Sequence, residues 1–394
     1  MFELEEVVTA EAEAGSTVIK VVGVGGAGGN AVEHMIREGV GGVEFICCNT
    51  DAQALKKSTA HVKLQLGPGL GAGGKPEKAR ELAVFDRERI ADALRGAHMV
   101  FITAGMGGGT GTGAGPVVAE VARELGILTV AVVTKPFEYE GKRKRLAEEG
   151  VVELARHVDS LIVILNEKLE EVLGDEVTML EAFQAADNVL RNAVGGIAEI
   201  INVPGLVNVD FEDVRTVMGE MGKAMMGSAV AAGVDRARVA AEEAVASPLL
   251  EGIELSGARG VLVNITASTT LGLKEYKEVM KTIRQYTAPD ATVICGAVFD
   301  EGMEDQLRVT VVATGLGIVA TREAAKPSMR VVETIGLRTG TDNLQVFESG
   351  GPIDLSSVTS SARSSTPRNA QADAMAASGV DKYDIPAFLR RQSD

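Results

Sequence analysis

From Val18 to Leu165 the chain alternates short, dense apolar runs with longer segments whose apolar residues recur at helical spacing. The runs VIKVVGV from Val18, VEFICCN from Val43, MVFITAG from Met99, ILTVAVV from Ile127 and SLIVIL from Ser160 are expected strands. Helices are expected from Asn30, from Ala114 to Leu125, and after Gly141. Strand and helix in alternation predict an α/β fold with a Rossmann-like, doubly wound parallel sheet. A long helix follows from Thr178, with apolar positions at Met179, Leu180, Phe183, Leu190, Val194, Ile197 and Ile201 that should pack along one face. It stops near Val203-Pro204-Gly205, a helix-breaking sequence.

A second, smaller α/β unit is expected from about Asp210 to Gly317, on the runs VLVNITAS from Val261, TVICGAV from Thr292 and LRVTVVATG from Leu307, with a helix around Lys274 to Tyr286. Beyond Pro327 the pattern fades into a Ser/Ala-rich stretch that cannot bury a core and should be disordered. The last residues, DKYDIPAFLRRQSD, regain apolar character, as a peptide ligand on a flexible tether does. The expected division is therefore 1–17 flexible, 18–177 nucleotide-binding, 178–203 central helix, 204–320 C-terminal α/β, 321–380 linker and 381–394 terminal peptide.

Charge narrows the partners. With 39 basic and 55 acidic residues, a formal net charge of -16, an extended nucleic-acid surface is not expected, and anionic ligands must sit in local pockets. The acidic start lacks the features of a signal peptide, and apolar runs such as Ile127 to Val133 are too short to span a bilayer. Cys47, Cys48 and Cys295 form no metal-ligand spacing, so a cytoplasmic protein is expected. The scattered His34, His61, His98 and His157 suggest packing or surface roles.

Two glycine-rich loops stand at strand-to-helix junctions. GVGGAGGN, Gly23 to Asn30, fits G-x-G-x-x-G at Gly23, Gly25 and Gly28; such a loop brings backbone N–H groups and a helix N-terminus to phosphate oxygens. Alone it is weak evidence: a dinucleotide site is the obvious rival, and a purely structural tight turn is the lesser one. GMGGGTGTGAGP, Gly105 to Pro116, adds a second glycine run with hydroxyls at Thr110 and Thr112. Glycine within an element costs about 0.5–1 kcal/mol, so the run implies a ligand, and two loops point to one nucleoside triphosphate gripped from two sides. GLGAGGK, Gly69 to Lys75, has P-loop spacing, but Pro76 replaces the magnesium-binding hydroxyl and is suited to starting a helix. Lys142, Arg143, Lys144 and Arg145 could be a solvated helix face, although they follow a strand at the edge where both glycine loops lie. In NVPGLVNVDFED, from Asn202, the carboxylates of Asp210 and Asp213 can share one side of a helical turn and orient water; spacing alone favours plain N-capping by Asp210.

Taken together, GVGGAGGN, NTDAQAL from Asn49, GMGGGTGTGAGP, TKPF from Thr134, NVDFED and the terminal DIPAFLRR resemble the FtsZ family, bacterial relatives of tubulin, in family order from about Val18 to Arg391. The resemblance implies a GTPase that polymerises head to tail and forms the division ring at mid-cell, in the cytoplasm. It assigns phosphate contacts to Gly25, Gly26, Ala27, Gly28, Gly29 and Asn30, and to Gly107, Gly108, Gly109, Thr110, Gly111, Thr112 and Gly113. It assigns Glu140 to the ribose and Asn166 and Asp187 to the nucleoside. A carboxylate such as Asp187 accepts from both N1–H and the 2-amino group of guanine, which adenine cannot match. Where the family places an arginine after the ribose glutamate this chain has Lys144; Arg143, Lys144 and Arg145 are the alternatives, and Arg143 is favoured.

The resemblance further implies that Asn208, Asp210 and Asp213 enter the nucleotide site of the next subunit, and that Mg2+ binds through the phosphates of GTP rather than in a carboxylate cage. Asp384, Ile385, Pro386, Phe388, Leu389, Arg390 and Arg391 resemble the family's docking peptide for the membrane tethers FtsA and, in some bacteria, ZipA. Two rival readings are a nicotinamide-dependent oxidoreductase built on Gly23, Gly25 and Gly28, and a nucleotide-sensing scaffold without turnover.

Overall fold

The computed structural model describes residues 17–174, 177–203, 205, 207, 209–220, 222–247 and 257–316. The N-terminal segment, the linker and the terminal peptide from Asp384 to Arg391 lie outside the described residues, as does Asn208. Among the described residues, strands β1 (Ile19–Val24), β2 (Val43–Asn49), β3 (Val62–Gln65), β4 (Met99–Gly105), β5 (Leu128–Lys135), β6 (Ser160–Leu165), β7 (Gly222–Ala232), β8 (Gly260–Ala267), β9 (Thr292–Phe299) and β10 (Gln306–Leu316) form one sheet. Its order is β3-β2-β1-β4-β5-β6-β7-β10-β8-β9. From β3 to β7 neighbouring strands are parallel, β10 is antiparallel to both its neighbours, and β8 and β9 are again parallel.

In the parallel half, side chains alternate across this sheet into two cores. Met99 and Phe101 of β4 join Val130 and Val132 of β5 on one face, while Val100, Ile102, Ala131 and Val133 fill the other. Burial on both faces is why the strands read as unbroken apolar runs. Helices α1 (Gly25–Arg37) and α8 (Met179–Asn202) pack on the first face; α3 (Pro76–Phe85), α4 (Arg87–Leu94), α5 (Thr110–Glu124) and α6 (Lys142–Leu154) cover the second. Pro76 opens α3, as its fixed φ favours. The helices expected from Asn30 and Ala114 begin earlier, at Gly25 and Thr110. The glycine turns are wound into the first helical turn, whose free N–H groups need no side chain to stay accessible.

The halves meet at α9 (Phe211–Met218). Strands β6 and β7 pair only at Ser160–Gly222, Leu161–Lys223 and Ile162–Ala224. At the C-terminal end of α9, the Ser160 hydroxyl from β6 donates to the Met218 carbonyl at 2.7 Å, and the Thr314 hydroxyl from β10 donates to the Val217 carbonyl at 2.7 Å. Carbonyls that a helix end leaves unpaired are thus satisfied from both halves. The strand β7 and the helix α10 (Arg236–Val245) were not signalled by apolar runs, because beside Met225 and Met226 their packing is carried by alanine and glycine. A Cβ at Gly227 would meet the Ala244 carbonyl oxygen at 1.9 Å, so a glycine there lets α10 lie on β7.

The expected apolar face of α8 holds only in part. Leu190, Val194 and Ile197 are buried, but Met179, Leu180 and Phe183 are 55%, 67% and 47% exposed. The first turns of α8 reach past the sheet to the mouth of a cavity, which Phe183 lines. A capping box holds that end: the Glu181 amide donates to Thr178 Oγ1, and the Thr178 amide donates to Glu181 Oε2 at 2.9 Å. Thr178→Ala is expected to cost about 1 kcal/mol, read as a lower urea midpoint with an unchanged slope.

Candidate nucleotide site

The segments that follow β1, β2, β4, β5 and β6 all emerge at one edge of the parallel sheet, where open α/β folds bind ligands. They enclose a cleft of about 480 Å³ whose walls include Gly26, Asn30, Gly108, Thr110, Glu140, Arg143, Asn166 and Asp187. Through Gly26, Gly108, Gly109 and Thr110 it is continuous with a pocket of about 680 Å³, closed on its far side by Thr50, Asp51 and Gly71 to Gly74. A cleft of this size suits a nucleotide. The Gly69–Lys75 loop therefore stands beside the glycine cradle as a wall and not as a P-loop.

The glycines divide into two kinds. A Cβ at Gly28 would meet the Thr103 carbonyl oxygen at 2.3 Å, one at Gly111 the Gly105 oxygen at 2.5 Å, and one at Gly113 the Pro76 oxygen at 2.0 Å. These glycines let backbone lie on backbone, so part of the glycine density is packing after all. At Gly26 and Gly108 a Cβ would meet nothing within 4 Å, yet both face the cleft. No protein neighbour requires a glycine at either position, whereas a close-lying ligand would. Gly25 and Gly107 have φ of +79° and +94°, which suits glycine.

Hydroxyls hold the cradle. Thr112 is buried and accepts the Gly107 N–H at 2.9 Å, so it shapes the loop. Together with Gly113 it lines a separate cleft between α3 and α6. Thr110 faces the cavity and shares a hydrogen bond of 2.7 Å with Thr50 Oγ1. Gly29 and Gly25 line a smaller pocket beside α1 and α2 (Ala52–Lys57).

At the other end of the cleft, Asn166 begins α7 (Asn166–Leu173), and its buried Oδ1 accepts no hydrogen bond from the protein. A buried unpaired amide is costly, and a ligand N–H or O–H would satisfy it. Asp187 is pushed up to about 6: burial raises it, while His34 and Arg37 pull the other way. Glu140 accepts from the Phe137 amide at 3.2 Å through Oε1 and holds Arg143 at 2.6 Å through Oε2. Arg143 lines the cleft and the adjoining pocket; Lys144 turns away to pair with Glu138, and Arg145 pairs with Glu149. Thr50, Thr134 and Phe183 also line these cavities without having been singled out as site residues. The rule that segments after parallel strands converge would have found the first two.

The acidic segment lies elsewhere. Asp210 is the N-cap of α9, its Oδ1 accepting the Asp213 amide at 2.8 Å, and both carboxylates are exposed. The next residue, Phe211, packs edge-on against His98 with ring centroids 6.0 Å apart. His98 precedes β4, and the opposite end of β4, Gly105, lines the cleft. Seven extended residues, about 20 Å of strand, separate the two acids from the cradle of their own chain.

Residues 18–174 match the Tubulin/FtsZ family GTPase domain, and residues 222–317 match the C-terminal domain of the FtsZ family. The chain belongs to the FtsZ family. It carries the GTPase domain of that family, which implies binding of a guanine nucleotide. The cell division protein FtsZ of Pseudomonas aeruginosa is 52% identical over 413 aligned residues, covering 100% of both chains, and that of Coxiella burnetii is 52% identical over 99% of both. Among solved structures, an empty FtsZ dimer from M. jannaschii is similar with a TM-score of 0.74 and 44% identity, over 77% of this chain and 89% of that one.

Two outcomes follow from the geometry. Gly108→Ala, which clashes with nothing, should leave the melting midpoint unchanged and weaken GTP binding at least about tenfold, whereas Gly113→Ala should lower the midpoint itself. The raised Asp187 binds its proton more readily folded than unfolded, so its contribution to stability falls as pH rises from the ordinary carboxyl range to about 6. Were Asp187 to accept from guanine, as the resemblance implies, it would need the ionised form; GDP affinity, measured by calorimetry, should then be full above that pH and about tenfold weaker at pH 5, and Asp187→Asn should flatten this profile.

Proposed function

We propose that this protein is a self-activating GTPase of bacterial cell division that assembles head to tail, each subunit completing the nucleotide site of its neighbour. The observation that carries the reading is the placement of Asp210 and Asp213 at the sheet edge remote from the cleft of their own chain. Asp51, the acid at the phosphate end, has Oδ1 committed to the Gln53 amide as the cap of α2. A second copy stacked with its α9 over the cleft of the first supplies the missing carboxylates, and that contact, being heterologous and open, propagates as a filament.

In this reading Gly25 to Asn30 and Gly107 to Gly113 hold or shape the phosphate cradle, Glu140 takes the ribose, Asn166 and Asp187 take the nucleoside, and Arg143 adds positive charge at the phosphates. The incoming Asp210 and Asp213, with Asn208, orient a water; its oxygen bonds to the γ-phosphorus as the bridging P–O bond to GDP breaks, and a carboxylate receives its proton. Mg2+, held mainly through the phosphates, offsets their charge when bound. The terminal peptide docks on membrane tethers such as FtsA or ZipA, with Ile385, Phe388 and Leu389 as apolar anchors, and holds filaments at mid-cell.

Asp213→Ala should keep GTP affinity within about twofold and lower turnover at least about a hundredfold, with phosphate release measured at one protein concentration. Turnover per subunit in the parent protein should rise steeply above a threshold concentration. Full-rate hydrolysis by dilute, unassembled protein would overturn the shared-site account.

A further inference from the structure

The base end of the cleft is fixed by a chain of hydrogen bonds that starts on the phosphate helix. Arg37 Nη2 lies 3.0 Å from His34 Nδ1, and His34 Nε2 lies 2.7 Å from Asn188 Oδ1. A guanidinium can only donate, so His34 Nδ1 is the acceptor; the ring proton is then on Nε2 and is donated to Asn188. His34 is buried at the packed face between α1 and α8. Asn188 is the residue after Asp187 on α8, about 100° further round the helix. Beside the apolar packing of α8, the bond from His34 is therefore a polar restraint on the residue next to Asp187, and so on the direction in which Asp187 points its carboxylate.

The far end of the same helix α1 carries Gly26 in the phosphate cradle, about 12 Å away along the axis. One rigid helix thus touches the ligand directly at its first turn and, through His34, sets the group at the other extremity of the ligand. We infer that His34 and Asn188 are positioning residues for base selectivity, aligning Asp187 so that it accepts from N1–H and from the 2-amino group of guanine together. The inference rests on the reading of Asp187 as the acceptor of the base. Without the His34–Asn188 bond, the turn of α8 that carries Asp187 is held by its apolar packing alone; the carboxylate is less closely aligned, keeps one hydrogen bond to the base and loses the second.

The experiment is calorimetric titration of full-length protein with GDP and with IDP, which lacks only the 2-amino group. Asn188→Ala, at an exposed position where folding is not at risk, should reduce the preference for GDP over IDP at least about fivefold. IDP affinity should stay within about twofold and the melting midpoint of nucleotide-free protein should not move. His34→Gln should do the same where it folds. An unchanged preference, or equal losses for both nucleotides, would overturn the inference. Asp187→Asn separates the two levels. If it abolishes the preference while Asn188→Ala does not, only the positioning role fails; if it leaves the preference intact, the reading of Asp187 fails and this inference with it.

Discussion

The close approach of one backbone to another holds the site together. At Gly28 the Thr103 carbonyl oxygen, and at Gly25 the Gly111 amide nitrogen, occupies the space that a Cβ would need. That contact brings the turns after β1 and β4 close enough for their N–H groups to serve a single ligand. Everything else at that edge is arranged around it: Thr112 fixes the second turn from within, Thr50 and Thr110 tie it to the segment after β2, and Gly71 to Gly74 close the far wall. The stability of the parallel half and its affinity for phosphate share one steric requirement.

The alternation of apolar runs was enough to read β1, β2, β4, β5 and β6, because strands buried on both faces leave an unmistakable pattern, but not the edge strand β3, where Val62 and Lys63 are exposed. It was not enough for β7 and α10, which beside Met225 and Met226 are packed through alanine and glycine, nor for the start of α8, where Met179 and Leu180 are exposed and Phe183 lines a cleft. The glycine loops could be placed, but not sorted. Gly26 and Gly113 look alike in sequence, and only the neighbours of each show that one is open to a ligand and the other is pressed on Pro76. For Asp210 the capping role and the proposed catalytic one are compatible: its Oδ1 holds the Asp213 amide, which fixes the turn from which both carboxylates project.

The long helix α8 ties the two ends of the molecule to one another. Its first turns carry Phe183 and Asp187 into the cleft, and its last residue, Asn202, donates to the Gly42 carbonyl just before β2, at the opposite edge of the sheet. From there the chain runs into the acidic turn and α9, whose C-terminal carbonyls are held by Ser160 and Thr314. A rigid rod between the base pocket and the acidic surface means that neither can be repositioned without strain reaching the other.

The separation of cleft and acids onto opposite edges has a consequence for any row of stacked copies. At one extremity stands a subunit whose loaded pocket faces solvent and has no incoming carboxylates; at the other stands one whose carboxylates face solvent with nothing to act on. With each site completed by its neighbour as proposed, every row would keep one uncleaved triphosphate at a single tip, however old its interior, and the two tips would differ chemically although all the copies are identical.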